Sequence, residues 1–500
     1  MEMKEITKRY GQIVANDRVD IALNQSEILA IVGENGAGKS TLMKILYGLE
    51  RPDHGEILLN GESLHFKNPS DAMKRGIGMV QQHFMLFPSM TVTENIIYNN
   101  EIHKGIFLNK AANRARVKEL SEQYALQVAP DAVAADCPVG TQQRVEILKT
   151  LYQNADIIIF DEPSAVLTPI EVTDLLKTLK RLAKMGKTII LITHKLNEVM
   201  QVSDHVLVMR DGKVVARTQK GNTSIEELSY HMVGRQIKMP IIDPMKTISG
   251  LLEVDGLTLS DGNGQYHLKE VSFHVNYGEI VGIAGVSGNG QAELVRCVTG
   301  LERADSGSIR LSGKELAGKT VQEFRETGVA HIPEDRYLWG SAPGATLSEN
   351  ALMGSQRKSG LSKRGILNLK KVHANTAGLI REYSVKAANV HQKMRELSGG
   401  NAQKLIVARE ISHETPLLVA SEPTRGVDIG AMEFIHNRLL EKRAKGDGIL
   451  LISSELSEIM KLSDRIYVIY GGKLCGEFTR NNASERELGL LMLGGKFNGK

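Results

Sequence analysis

The sequence is poor in several features, and each shortage excludes a class of protein. Its three cysteines, Cys137, Cys297 and Cys475, lie far apart without C-x-x-C spacing. That pattern excludes a disulfide framework and a cysteine zinc site, and it fits a reducing cytosol. The longest apolar runs, such as Ile157 to Phe160, fall far short of the roughly 18 residues that span a bilayer, and the start has no signal-peptide core. If the protein works at a membrane, we expect another chain to cross it.

Charge of one sign is also lacking. The chain has 62 Lys and Arg against 58 Asp and Glu, so we expect no nucleic-acid partner. Its 42% apolar and 24% charged residues are typical of a soluble α/β protein. Because 500 residues exceed what one hydrophobic core serves, we expect two or more domains.

One stretch carries a complete phosphate-binding loop. Gly33 to Thr41 reads GENGAGKST and matches G-x-x-x-x-G-K-[ST]. The apolar run Leu29 to Val32 before it predicts a strand, and Thr41 to Leu49 after it predicts a helix. Glycines let the backbone wrap phosphate oxygens, and inward amides at a helix N-terminus favour anions. We therefore expect Lys39 to reach the β- and γ-phosphates and Ser40 to offer a hydroxyl to Mg²⁺.

Acidic residues follow a second predicted strand. Ile157 to Phe160 is followed by Asp161 and Glu162, at the strand end where ligands of α/β folds bind. One acid can hold the water shell of Mg²⁺ and the other can orient an attacking water, unless both only cap the next helix. His194 follows the predicted strand Thr188 to Thr193. This position can bring it to the γ-phosphate, although a packed or surface histidine is the alternative.

The second half of the chain repeats the first. Ser26 to Gly61 returns as Gly278 to Gly313 at a shift of 252, and FDEPSAVLT returns as ASEPTRGVD at a shift of 260. This slip of eight residues predicts an insertion in the middle of the second copy. Each copy alternates strand and helix patterns, which predicts an α/β fold with a mostly parallel sheet. We expect domains at residues 1–236 and 251–500, joined by a linker at residues 237–250 that contains two prolines.

These residues resemble the ATPase subunits of ATP-binding cassette (ABC) transporters. GENGAGKST resembles the Walker A motif, IIIFDEP the Walker B motif and LITH the switch histidine, while Gln82 falls at the Q-loop position. Tyr10 resembles the aromatic residue that stacks on adenine, and LSGGN at Leu397 to Asn401 resembles the signature sequence. The resemblance implies two tandem P-loop NTPase domains, each with an added antiparallel β part and a helical subdomain.

In this family two cassettes pair head to tail, so each ATP lies between the Walker motifs of one and the signature of the other. The resemblance implies ATP and Mg²⁺ as cofactors at a first site. The expected ATP contacts are Tyr10, Gly33, Glu34, Asn35, Gly36, Ala37, Gly38, Lys39, Ser40, Thr41, Ser398, Gly399, Gly400 and Asp428. The expected metal site comprises Ser40, Gln82 and Asp161, and the expected catalytic residues are Lys39, Gln82, Glu162 and His194.

A second site built on the same plan lacks most of these groups. Its Walker positions carry Gln291, Ala292 and Ser421, Ser454 replaces the switch histidine, Glu334 stands at the Q-loop position, and Glu422 is kept. On the facing surface, Pro138 stands at the signature serine and Thr168 at the D-loop aspartate. Because several charge-stabilising contacts are lost, we expect this site to be catalytically silent. Whether it still binds nucleotide is left open.

The tandem, unequal cassettes resemble importer ATPases for nucleosides and monosaccharides. VGTQQRVEILKTLY and AVLTPIE look more like the nucleoside branch than the ribose or galactose branch. A soluble twin-cassette translation factor is the less favoured alternative. The resemblance implies a peripheral position at the cytoplasmic membrane face, two permease subunits contacted through Phe84 to Pro88 and Glu334 to Gly344, and indirectly a solute-binding lipoprotein. A buried hairpin is the alternative for the first of these loops.

Overall fold

The computed structural model describes residues 1–500 except 12, 82–83, 165–166, 168, 237–246, 263, 287, 357–359 and 496–500. The chain divides into two compact units, Met1–Ile237 and Lys238–Lys500, called here the first and second cassette. Most of the predicted linker lies outside the described residues. The first strand of the second cassette begins at Ile248, inside the range that we expected to be linker.

The first cassette alternates strands and helices along its length. Its strands are β1 (Glu2–Tyr10), β2 (Ile13–Ala22), β3 (Ile28–Val32), β4 (His54–Leu59), β5 (Glu62–Leu64), β6 (Ile77–Val80), β7 (His103–Lys104), β8 (Phe107–Leu108), β9 (Ile157–Asp161), β10 (Thr188–Ile192), β11 (His205–Arg210) and β12 (Lys213–Gln219). Its helices are α1 (Lys39–Leu46), α2 (Pro69–Lys74), α3 (Val92–Ile97), α4 (Lys110–Gln123), α5 (Val139–Tyr152), α6 (Pro169–Lys184), α7 (Leu196–Val202) and α8 (Ile225–Val233).

The second cassette repeats this order. Its strands are β13 (Ile248–Ser260), β14 (Tyr266–Tyr277), β15 (Ile280–Ala284), β16 (Ser306–Leu311), β17 (Lys314–Glu315), β18 (Val329–Ile332), β19 (Ser362–Lys363), β20 (Ile366–Leu367), β21 (Leu417–Ser421), β22 (Gly448–Ser453), β23 (Arg465–Tyr470) and β24 (Lys473–Thr479). Its helices are α9 (Gln291–Val298), α10 (Val321–Thr327), α11 (Leu347–Leu352), α12 (Leu369–Glu382), α13 (Gly399–Ile411), α14 (Ile429–Ala444), α15 (Leu456–Leu462) and α16 (Glu485–Met492).

A mostly parallel sheet forms the centre of each cassette, as predicted. In the first cassette the strand order is β12-β11-β3-β10-β9-β6, with only β12 antiparallel to its neighbour. All five residues of β3 are buried, because apolar clusters cover both faces of the sheet. The helix after the phosphate-binding loop is shorter than expected. It ends at Leu46, and Gly48 then adopts a left-handed backbone with φ 77°, a conformation that stops helices.

Two further parts complete each cassette, as the resemblance implied. The strands β2-β1-β4-β5 form an antiparallel sheet that packs with α1, and α3, α4 and α5 form a helical group whose apolar side chains join one core with the central sheet. The second cassette has the matching sheet β14-β13-β16-β17. None of the helices in the described part of the chain combines the length and apolar character that crossing a bilayer requires.

The eight additional residues of the second cassette are spread over three places, so the prediction of one insertion was wrong. Equivalent residues are offset by 252 at Val80 and Ile332, 255 at Thr91 and Thr346, 259 at Asn109 and Asn368, and 260 at Pro138 and Ser398. The first three residues therefore lengthen the loop before α11. Loops tolerate such growth because their closure entropy rises slowly with length.

Candidate nucleotide site

The phosphate-binding loop connects β3 to α1. Gly38 has φ 94°, and a Cβ placed there would lie 2.1 Å from the Ala15 carbonyl oxygen, so only glycine fits. Lys39 is buried, and its Nζ donates hydrogen bonds to the carbonyls of Gly33 at 2.7 Å and Glu34 at 2.9 Å. The loop is therefore closed around a positive charge, which is the arrangement that a polyphosphate needs.

A hydroxyl and a carboxylate meet beside this loop. Ser40 Oγ lies 3.4 Å from Asp161 Oδ1, although the two residues are far apart in sequence. Burial raises the pKa of Asp161 above its ordinary value, and the neighbouring Glu162 charge raises it further. A buried carboxylate next to a hydroxyl is an all-oxygen donor set of the kind that Mg²⁺ prefers, so these residues fit that cation.

The second acid is held differently. Glu162 has a left-handed backbone, φ 46°, and its N–H donates to the Ile192 carbonyl at 2.9 Å. Its Oε1 lies 3.1 Å from His194 Nδ1. Burial opposes ionisation of Glu162, but the hydrogen bond and charge of His194 outweigh it and lower the pKa below its ordinary value. The structure thus joins the two residues that the sequence placed after separate strands, and Glu162 is kept ionised to accept a proton.

Tyr10 ends β1 close to the phosphate-binding loop. Its ring is 44% exposed, and its phenol interacts with Thr41 in α1. Burial raises the pKa of Tyr10, and the Glu50 carboxylate adds to that shift. An open aromatic face at this position can stack on a base. The remaining predicted residue, Gln82, lies outside the described residues.

The corresponding loop of the second cassette is closed by its own side chains. Gln291 Nε2 donates to the Val286 carbonyl at 2.9 Å, and Gln291 Oε1 accepts from the Asn289 N–H at 3.1 Å. Gln291 thus takes the place that Lys39 has in the first cassette. It brings no charge to the loop, whereas Lys39 does.

Glu422, the counterpart of Glu162 in the second cassette, has a different hydrogen-bond partner and a different pKa. Glu422 Oε1 accepts from the Ser454 N–H at 2.7 Å, where the first cassette has an imidazole. Burial raises the pKa of Glu422 to about 7. A carboxyl group with a pKa near 7 can still act as a base, so the loss of the imidazole partner, rather than the protonation of Glu422, distinguishes this site from the first.

The helix α13, which begins in the signature sequence, and its counterpart α5 differ at their N-termini. In α13 Ser398 is the N-cap, and its hydroxyl accepts from Asn401 Nδ2 at 2.8 Å without bonding the helix backbone. In α5 the Gly140 N–H donates to Glu171 Oε1 at 3.2 Å. At a shift of 260 the second cassette has Ala431 in place of Glu171. The α5 terminus therefore already holds an anion, which the sequence analysis missed; comparing the copies at this position would have shown it.

The D-loop position also has a structural role within its own cassette. Asp428 is the N-cap of α14, where its Oδ1 accepts from the Ala431 N–H at 2.7 Å. A Cβ placed on Gly400 would lie 2.9 Å from Asp428 Oδ2. The cap thus lies against the signature helix, and the glycine leaves room for it. Thr168, the counterpart in the first cassette, lies outside the described residues.

The loops expected to meet partners expose apolar side chains. In the first cassette, described residues 84–88 form no strand, so the buried-hairpin alternative was wrong; Met85 is 54% and Phe87 43% exposed. Asn95 holds this loop, because its carboxamide bonds both the N–H and the carbonyl of Phe87. Asn350 bonds Ala342 in the same way, and the loop before it exposes Trp339 at 61%.

Comparison with known proteins finds the same family in both halves of the chain. The sequence profile described as ABC transporter matches residues 16–165 and 268–425. A nucleoside import ATP-binding protein of Lactococcus lactis is 46% identical over 100% of this chain and 99% of its own length. A guanosine import ATP-binding protein of Bacillus subtilis is also 46% identical, over 100% and 99%. A ribose import ATP-binding protein of the same species is 36% identical over 99% and 100%.

A solved structure of an archaeal ribosome recycling factor, in complex with the stalk protein aP1, matches with a TM-score of 0.66. The match covers 98% of this chain and 92% of the solved chain. At 21% identity it shows a similar fold and no more. Profile and relatives together cover both halves of the sequence. The chain belongs to the ABC transporter family of ATP-binding proteins.

Proposed function

We propose that this chain is the ATP-hydrolysing subunit of a nucleoside importer, with turnover confined to the site built on Gly33 to Thr41. The observation that carries the proposal is the intact set Lys39, Ser40 with Asp161, and Glu162 with His194, found in a chain 46% identical to nucleoside import proteins over its whole length. Ribose import is the alternative, at 36% identity.

In the proposed site, α1 and the loop amides bind the phosphates of ATP, and Lys39 exchanges its two carbonyl partners for phosphate oxygens. Ser40 and Asp161 would hold Mg²⁺, and Gln82 would join them as the resemblance implies. When bound, the cation neutralises charge on the β- and γ-phosphates. Tyr10 stacks on the base.

Proton transfer falls to Glu162. Its lowered pKa keeps the carboxylate ionised, so that it can orient the attacking water and accept its proton. His194 holds Oε1 of that carboxylate at 3.1 Å and lies where a γ-phosphate oxygen could accept its other N–H. From the second cassette, Ser398, Gly399, Gly400 and Asp428 serve the same turnover, as the family resemblance implies.

The partners follow from the family. Two permease subunits would carry the solute through the membrane, a solute-binding lipoprotein would deliver it, and this chain would lie at the cytoplasmic face. The exposed loop residues Met85, Phe87 and Trp339 are the proposed permease contacts.

Reconstitution of the chain with its permease and solute-binding partners in liposomes tests this function. We expect ATP-dependent uptake of labelled guanosine that unlabelled nucleosides suppress and ribose does not. The complex carrying Glu162→Gln is the matched control and should take up none. Uptake of ribose without uptake of nucleoside would replace the proposal by its alternative.

A further inference from the structure

One arginine of the second cassette connects two features that the proposed function treats separately. The loop Tyr337 to Trp339, called here the Trp339 loop, follows Arg336 directly. Asp335 Oδ1 accepts from the N–H groups of Tyr337 and Leu338 at 2.8 and 2.9 Å, which folds the loop into a tight turn. Leu338 and Trp339 are 71% and 61% exposed, whereas Arg336 points back into the cassette.

The guanidinium of Arg336 joins the loop to the signature helix. Its Nη1 donates to the Gly399 carbonyl, in the first turn of α13, at 2.8 Å. Its Nη2 donates to the Arg425 carbonyl, in the segment that leads to Asp428. A planar fork of this kind fixes direction as well as distance, which a single ammonium cannot do.

Two glycines leave room for this contact. A Cβ on Gly399 would lie 2.9 Å from Arg336 Nη1, and a Cβ on Gly426 would lie 2.9 Å from Nη2. The positive charge of Arg336 does not stabilise α13, because the N-terminus of a helix is its positive end. Burial lowers the pKa of Arg336, so holding this charge here also carries a cost. Helix stability therefore does not explain the residue.

No side chain among the described residues of the corresponding loop in the first cassette makes this connection. Its loop is shorter by three residues, and Phe84 stands at the position of Arg336 by the shift of 252. Its loop is instead tied to the opposite end of the helix, since Lys149 Nζ in the last turn of α5 donates to the Met85 carbonyl at 2.8 Å. The arginine thus accompanies the cassette with the intact signature.

We propose that Arg336 is a positioning residue that couples the Trp339 loop to the N-terminus of α13, so that movement of one displaces the other. The proposal rests on the assigned permease role of the loop and the ATP role of the signature. Through Arg336, permease movement reaches the Ser398 to Gly400 segment, and ATP bound there moves the permease contact in return, because such coupling is reciprocal.

Trp339 is the only tryptophan of the chain, so its fluorescence reports on the loop directly. The experiment titrates ATP with Mg²⁺ into the full chain carrying Glu162→Gln, which retains the nucleotide. We expect a change of Trp339 emission on binding, and Arg336→Ala should reduce its amplitude at least about tenfold while ATP still binds. Arg336→Lys keeps the charge without the fork and should remain nearly as weak.

Arg395→Ala is the matched control, because Arg395 is an exposed arginine three residues before Ser398 and should leave the amplitude unchanged. Full amplitude in Arg336→Ala, full restoration by Arg336→Lys, equal loss in Arg395→Ala, or no ATP response in the parent would each overturn the coupling. If Arg336→Ala does not fold, Arg336→Lys decides alone. Failure of the proposed function would instead appear as absent uptake with the Trp339 response intact.

Discussion

The two cassettes share a backbone at the acid that follows the Walker B strand, and they differ in the side chains around it. Glu162 and Glu422 have φ values of 46° and 47°, and their N–H groups donate to Ile192 and Ile452 carbonyls at 2.9 and 2.8 Å. Yet the pKa of one lies below its ordinary value and that of the other is raised to about 7. A strained backbone of this kind is common at active sites, and both cassettes keep it although the groups around the acid differ.

The two cassettes also differ at two other positions of their nucleotide motifs. Gln291 fills the lysine position of one phosphate loop, and Glu171 occupies the terminus of the signature-position helix in the other cassette. Each change is made within its own cassette. The difference between the cassettes at these positions therefore depends on local contacts. Single substitutions can remove such a contact from one cassette or introduce it into the other.

The largest expected effect comes from the same substitution in both acids. Glu162→Gln removes the ionised proton acceptor and should lower ATP turnover by about 10² to 10⁴-fold, whereas Glu422→Gln should leave it within about twofold. Steady-state phosphate release from the assembled complex measures both. Equal losses would show that the second site also hydrolyses ATP and would end the comparison in its present form.

A smaller effect is expected from moving the carboxylate that occupies the signature-position helix. The side chain of Ala431 lies beside Gly400, so Ala431→Glu should bring an anion to the N-terminus of α13 and lower turnover by about tenfold through repulsion of phosphate. Glu171→Ala opens α5 and should leave turnover unchanged. Phosphate release again decides; a loss with Glu171→Ala would mean that the α5 terminus contributes to catalysis.

The last expected effect concerns stability instead of turnover. Because burial raises the pKa of Glu422 to about 7 from an ordinary 4.5, the folded second cassette binds more protons than the unfolded chain between these values, and its stability falls as pH rises across them. Glu422→Gln should remove that fall and stabilise the cassette at pH 8, by on the order of 3 kcal/mol.

Glu162 has the opposite sign, so Glu162→Gln should destabilise the first cassette at the same pH. Calorimetric unfolding between pH 5 and pH 8 follows both variants. A pH-independent second transition in the unmodified protein would contradict the raised pKa of Glu422.

Much of the first site could be predicted from sequence because its parts are local. A strand, a glycine-rich loop and a helix are adjacent in the chain around Lys39, and the acids stand at the end of a five-residue apolar strand. The parallel pairing of β3, β9 and β10 then brings Asp161 and His194 to one sheet edge. That pairing follows from the general rules of α/β folds.

The features that were missed depend on contacts between distant segments. Glu171 reaches Gly140 across 31 residues, and Arg336 reaches Gly399 across 63, and neither residue lies in a recognisable motif. Arginine and glutamate are ordinary surface residues in any pattern analysis. Only the tertiary packing selects these two, which is why the sequence predicted the site but not the contacts that distinguish its two copies.

Asn95 and Asn350 affect which residues of the two exposed loops can be substituted. Asn95 and Asn350 each bond backbone groups of the loop before their helix, at Phe87 and at Ala342, so this part of each loop is held from the helix. The tip residues can then be exchanged as a set. The same arrangement thus presents Phe87 in one cassette and Trp339 in the other, and it lets the exposed residue change without a change in the helix that holds the loop.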